Sequence, residues 1–214
     1  MPELASLTKT EPLSTASATY DIRRLEGPHV TMTPYSRGFY RRDLAYQLWA
    51  LMEKEGAIDL VFYETPTDPE AKAAHGDLAE FVSYFSDPNK IVLIAQDNES
   101  GEIAGMTWFE IQCGRFRALG NWWVRRKFWG QKSREIGIIS CDYIFKNIGV
   151  PAIWGYSPWL TSVKSAESYG FDYVVALPGY SRAKGQVTDI HIVCLTAGRF
   201  AEGRYYENLY KDNR

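Results

Sequence analysis

Apolar positions along the chain change their spacing several times, and each change marks an element. From Phe39 to Glu55, Leu44, Leu48, Leu51 and Met52 fall at i, i+4, i+7 and i+8, one stripe of a helix that Gly56 stops. Between Pro69 and Phe85 a second stripe (Leu78, Phe81, Val82, Phe85) predicts another helix, broken by Asp87-Pro88-Asn89. The period then shortens to two. His29–Thr33 and Glu102–Ile111 read as strands, Ile91–Ala95 as a strand buried on both faces, and Ala118–Val124 as the third member of a meander. Asp97 to Gly101 supplies the hairpin turn. A third helix opens near Ser133, read as its N-cap, with Ile136, Ile139 and Tyr143 on one face, and Gly149 and Pro151 end it. The rest reads strand (Ala152–Ser157), helix (Thr161–Tyr169), strand (Tyr173–Leu177), strand (Asp189–Leu195). The expectation is one α/β domain over residues 20–200, with a flexible Ser/Thr/Ala/Pro arm over 1–19 and a polar tail over 201–214.

Composition narrows the class. At 214 residues with 45% hydrophobic and 23% charged side chains, the chain can bury a core without metal or disulfide. Lys plus Arg number 24 against 26 Asp plus Glu, a net charge of −2, which speaks against a dedicated nucleic-acid binder. Cys113, Cys141 and Cys194 form no CxxC pair and read as thiols of a reducing, cytoplasmic setting. His29, His75 and His191 are scattered, so no metal centre is expected. No apolar run approaches the ~20 residues that span a bilayer.

Candidate chemistry concentrates between Trp122 and Gly137. A loop leaving a strand for a helix start aims unpaired N–H groups at one point, where the helix dipole also favours an anion. Arg125, Arg126, Lys127, Lys132 and Arg134 surround that point, and Gly130 allows close backbone approach. The same cations also suit a solvated helix start, so a phosphate seat and a plain basic face both stand here. Trp122, Trp123, Trp129, Trp154 and Trp159 cluster with Tyr156 and read either as cleft walls or as core. No GxSxG, P-loop or dinucleotide fingerprint is present.

Element order and this junction together resemble the GCN5-related N-acetyltransferase (GNAT) superfamily, in particular its RimJ/RimL-like and phage-encoded branches. Phe128-Trp129-Gly130-Gln131-Lys132-Ser133-Arg134-Glu135 is similar to that branch's aromatic-Trp-Gly-Lys run. Ser162, Ala166-Glu167 and Gly170-Phe171 match its closing motif. The resemblance covers roughly Ile91 to Leu195. It implies a mixed, mainly antiparallel central sheet flanked by helices. It also implies acetyl-CoA as co-substrate and an amine acceptor, either a small molecule or a peptide. On this pattern Trp122, Trp123 and Val124 would splay from the next strand to admit the pantetheine arm. The loop Trp129, Gly130, Gln131, Lys132, Ser133, Arg134 would hold the pyrophosphate.

The chain departs from the family in several places. Lys132 and Arg134 occupy positions that the family keeps small, Trp159 stands for a frequent Asn, and Ala166 for the tyrosine that protonates the leaving thiolate. The resemblance therefore leaves the acid to Tyr169 or Tyr156. It offers Glu110 on the second meander strand as base, a residue that reads equally as solvent-facing. Glu135 is assigned to supporting the helix N-terminus. Two other readings remain: a GNAT-shaped binding module with an eroded cofactor loop, and a relative acting on nucleic acid through Arg115 to Arg117 and Arg125 to Lys127. Acceptor identity and oligomeric state are not legible.

Overall fold

Central strands that are buried at almost every position, as Ile91–Ala95 are, ask for helices on both faces. The computed structural model describes residues 24–36, 42–58, 62, 76–112, 114, 116–183 and 186–209, and it has that arrangement. The arm over 1–19, the segment 69–75 of the second expected helix and the last five residues lie outside these.

Eight strands form one sheet: β1 (Leu25–Glu26), β2 (Val30–Ser36), β3 (Lys90–Asp97), β4 (Ile103–Gln112), β5 (Arg117–Val124), β6 (Ala152–Ser157), β7 (Asp172–Ala183) and β8 (Gln186–Thr196). Their order is β1-β2-β3-β4-β5-β6-β8-β7, and every neighbouring pair is antiparallel except β5 with β6. The helices are α1 (Arg42–Lys54), α2 (Leu78–Phe85), α3 (Gln131–Tyr143), α4 (Leu160–Glu167), α5 (Ala197–Glu202) and α6 (Tyr205–Leu209). A π-turn over Ile144–Ile148 extends α3, and Gly149 ends it with a left-handed φ of 76°.

Two cores lie on opposite faces of the sheet. Leu48 and Met52 of α1 and Phe81 and Phe85 of α2 pack on Val92, Ile94, Met106 and Trp108. Ile136 and Ile139 of α3 and Val163 and Ala166 of α4 pack on Ile91, Leu93, Phe109 and Ile153. Ile91 and Val92 thus face opposite ways, as strand geometry demands. Leu48, Met52, Phe81 and Phe85 are fully buried, so truncating any one to Ala is expected to cost about 2–5 kcal/mol. Local chemistry fixes the helix ends. Asp77 caps α2 by accepting from Glu80 N (2.8 Å), and Asp43 and Lys54 sit at the ends of α1 that favour their charges.

The tail is not simply polar. Tyr205, Tyr206 and Leu209 of α6 pack against the core on the α3 side, and the ring of Tyr205 fills the space a side chain at Gly170 would need. β7 and β8 extend well past the short strands that the periodicity predicts, because their outer halves pair with each other beyond the body of the sheet.

Candidate active site

β5 and β6 pair at only two positions, Ala118 with Ile153 and Leu119 with Trp154. Beyond them the strands part. β5 stays in register with β4 as far as Val124, opposite Gly105, and β6 stays with β8 as far as Ser157, opposite His191. The β6-facing edge of residues 120–124 is thereby left without a strand partner. Backbone groups there need partners from elsewhere, and an amide-bearing extended chain supplies them. Gly120 and Gly155 follow the last pair and keep the gap open. A Cβ at Gly155 would lie 3.1 Å from Val193 Cγ2 and 3.6 Å from Gly120 O. The fork opens onto a cavity of about 730 Å³. Trp108 and Trp123, from the core under α1 and α2, line it together with Val163, Ala166 and Val193 from the core under α3 and α4. The cavity therefore reaches both faces through the gap.

At the open end, β5 passes through a 3₁₀ turn (Arg126–Phe128) into α3. Gly130, not Ser133, is the N-cap; its φ of 92° and ψ of −127° suit glycine. Ser133 is the third helical residue, and its Oγ donates to Gly130 O (2.8 Å). The first helical bond runs from Arg134 N to Gly130 O, so the N–H groups of Gln131, Lys132 and Ser133 have no partner within the helix. Gly130 and Ser133 line the cavity, as do Trp122, Trp123, Val124 and Trp129. Trp129 is 62% exposed, and its Nε1 donates to Val124 O (2.8 Å) across the mouth.

The cations seen in the sequence are largely drawn away from this point. Lys132 pairs with the buried Asp97, and that bond holds the Asp97 carboxyl at about 2. Arg125 binds Glu55 and Glu102 (3.0 Å), and Lys127 pairs with Glu102. Arg134 Nε donates to Ser168 O (3.1 Å), and Arg126 lies over the Trp129 ring. The side chains of Gln131, Lys132 and Arg134 are outside the cavity lining. Glu135 does not support the helix start either. Buried to 1% exposure, it accepts from His29 N, Val30 N (each 2.9 Å) and the His29 ring, tying α3 to the start of β2.

Neither of the two residues expected to move protons lines the cavity, and they lie in different surroundings. Glu110 sits on β4 opposite Leu119, one step from the fork, on the same face as Trp108. It is half-buried and accepts from Gln112 Nε2 (2.9 Å). Tyr169 is a core residue: its ring packs on Trp122 (5.4 Å between centroids) and fills the space a side chain at Gly137 would take. Burial raises its phenol far above the ordinary range, and it is not part of the lining. Tyr156, 43% exposed, is. Sequence reasoning missed Asn121 and His191 in the lining, and Trp108 with Tyr84 behind it. Trp108 lies opposite Asn121 across β4 and β5, and only sheet register reveals that pairing. Trp108 Nε1 donates to Tyr84 Oη (3.2 Å), and burial pushes the Tyr84 phenol up to about 12, with Tyr156 and Glu110 adding to the effect.

Among the described residues no helix is long and apolar enough to cross a membrane, and no group of three or more His, Cys, Asp or Glu is placed to hold a metal. Cys141 is a buried free thiol and Cys194 a half-buried one. No protein-family model and no curated sequence matches this chain. Solved structures do. A GCN5-related N-acetyltransferase from Brucella melitensis superposes with a TM-score of 0.67 at 16% identity, covering 88% of this chain and 86% of its own. RimJ of Mycobacterium smegmatis, in complex with CoA-disulfide, gives 0.62 at 16%, with 86% and 97% covered. Spermidine N-acetyltransferase of Vibrio cholerae, in complex with CoA and spermine, gives 0.59 at 15%, with 80% and 98% covered. Forked sheet, helix start and superpositions agree: this chain has the fold of the GCN5-related N-acetyltransferases.

Proposed function

We propose that this protein is an acetyl-CoA-dependent N-acetyltransferase that modifies an amine of a small molecule or peptide. The observation that carries the reading is the fork: a strand edge with no strand partner, residues 120–124, leads directly to the open N-terminus of α3. That combination fits a ligand with amides in an extended arm and a diphosphate at its end. When bound, acetyl-CoA supplies an acyl thioester whose leaving group is a thiolate. The β5 edge would hold the pantetheine amides, and the N–H groups of Gln131, Lys132 and Ser133 would hold the pyrophosphate. Lys132 contributes little to that seat, because its ammonium pairs with Asp97, whereas Arg134 gives one N–H to the Ser168 carbonyl and keeps its charge.

The acceptor amine would enter from the α2 face, beside Trp108 and Asn121. Glu110, with its carboxylate on that face, takes the amine proton, which makes the nitrogen a nucleophile. Tyr156, a phenol in the cavity lining, would protonate the departing sulfur, the role the sequence divides between it and Tyr169. Closely opposed walls hold both reactants in one orientation, which is the larger contribution to rate in a direct transfer. Free thiols fit a reducing, cytoplasmic setting for such an enzyme. The alternative is a binding module whose eroded loop no longer takes acetyl-CoA. Trp129 and Trp159 border the cavity rather than fill it, which favours the enzyme, and CoA titration separates the two. A test is release of free CoA thiol from acetyl-CoA on addition of amines. Glu110→Gln and Tyr156→Phe should each lower kcat by about 10²-fold or more while leaving CoA affinity within twofold. Full activity in both variants would remove these roles.

A further inference from the structure

The acceptor side of the cavity is walled by aromatic surface. Trp108 and Trp123 are 3% and 6% exposed, and Tyr156 stands opposite them on β6. Tyr84 backs this wall and fixes its polarity: its hydroxyl takes the Trp108 indole N–H, so that indole offers the cavity no free donor there. Tyr84 is itself wedged edge-on between Phe62 (5.3 Å) and Phe85 (4.9 Å), with Lys90 over its ring (3.9 Å). The aromatic part of the wall is therefore tightly packed, with Asn121 the polar side chain beside it. Among the described residues lining the cavity none is Asp or Glu, and the one permanent charge is the cation of Lys164, on the α4 side. Glu110, beside the fork, is the carboxylate next to the acceptor wall, and it already accepts from Gln112.

From this we infer that the acceptor is a monoamine with an aromatic or apolar body, and not a polyamine. The inference rests on the acetyltransferase reading and names its substrate class. One ammonium can be met by aromatic faces and by Glu110, to which it gives its proton before attack. A second or third ammonium on the same molecule would lie against aromatic surface where no described lining residue is Asp or Glu, and an unpaired charge there is disfavoured. An apolar body instead gains by leaving water, and a flat one gains further by stacking. The solved relative that holds CoA and spermine thus shares the fold without sharing the acceptor class.

Two measurements on the full chain test this. Calorimetry with CoA-saturated protein compares phenethylamine, tryptamine and spermidine, and turnover with acetyl-CoA compares the same three amines. Expected are tighter binding of the aromatic monoamines and a kcat/KM for them at least about tenfold above spermidine's. Trp108→Leu should cost phenethylamine about tenfold in Kd and leave CoA affinity within twofold, and Trp108→Phe should restore most of that loss. Equal or better use of spermidine overturns the inference, as does CoA binding with no binding or turnover of either monoamine. In both cases the cofactor reading stands. Absence of CoA binding removes both.

Discussion

Leu119 of β5 and Trp154 of β6 are the last residues at which the two parallel strands remain paired; the next two, Gly120 and Gly155, lie on either side of a gap. The proposed cofactor arm depends on that gap. Gly155→Leu would project a side chain toward Val193 Cγ2, Gly120 O and the Trp122 indole. Its expected effect is loss of CoA binding by at least about tenfold, against a modest fall in Tm. Isothermal titration and thermal unfolding of the same samples separate the two effects. Unchanged affinity in a folded variant would place the ligand elsewhere.

Lys132 is expected to serve stability rather than affinity. Its ammonium is committed to Asp97, which also accepts from Ser100 N (3.0 Å) and Ser100 Oγ (2.7 Å) in the β3–β4 turn. Lys132→Ala should lower Tm and change CoA affinity less than threefold. A large loss of affinity with unchanged Tm would show the lysine to be a phosphate ligand.

The same pair sets an acid limit. An unfolded Asp titrates near ~3.9, while Asp97 in the folded protein titrates at about 2, chiefly because of the Lys132 bond. A depressed folded pKa adds stability that is fully present above the unfolded value and disappears as pH falls through the folded one. The Tm advantage of the natural protein over Asp97→Asn should therefore hold at about pH 6 and shrink between about pH 4 and pH 2. A difference independent of pH across that window would contradict the assignment.

Glu135 joins α3 to the start of β2 through three hydrogen bonds from His29 and Val30. Glu135→Ala leaves the buried Val30 N–H and the part-buried His29 N–H without their acceptor and should cost about 2–4 kcal/mol in chemical denaturation. Gly27→Ala should destabilise too, because its Cβ would overlap the Glu135 carboxylate. A neutral outcome for both would mean that β2 is held by its strand pairing and core packing without Glu135.

Much of this architecture is written locally. Helical stripes, alternating strands and the Asp97–Gly101 turn carry their own signals, so element order and the strand-to-helix junction are legible. The reach of β7 and β8 is not, because their outer halves are stabilised by each other. Nor are the partners of charged side chains. Asp97 and Lys132 are 35 positions apart, and nothing in either neighbourhood shows that they meet. Five cations in sequence suggested a charged phosphate seat, whereas the folded chain neutralises most of them and leaves backbone N–H groups. Tyr169 and Tyr156 look interchangeable along the chain. The first stacks under Trp122 and the second borders the cavity, a difference set by which face of the sheet each element packs on.

The most direct measurement is calorimetric titration of CoA into the purified protein at low salt. The predicted result is saturable binding of one CoA per chain, weakened at least about tenfold by Gly155→Leu. No heat and no thermal shift up to millimolar CoA would mean that the space between β5 and β6 is not a nucleotide site, and the acetyltransferase assignment would fall.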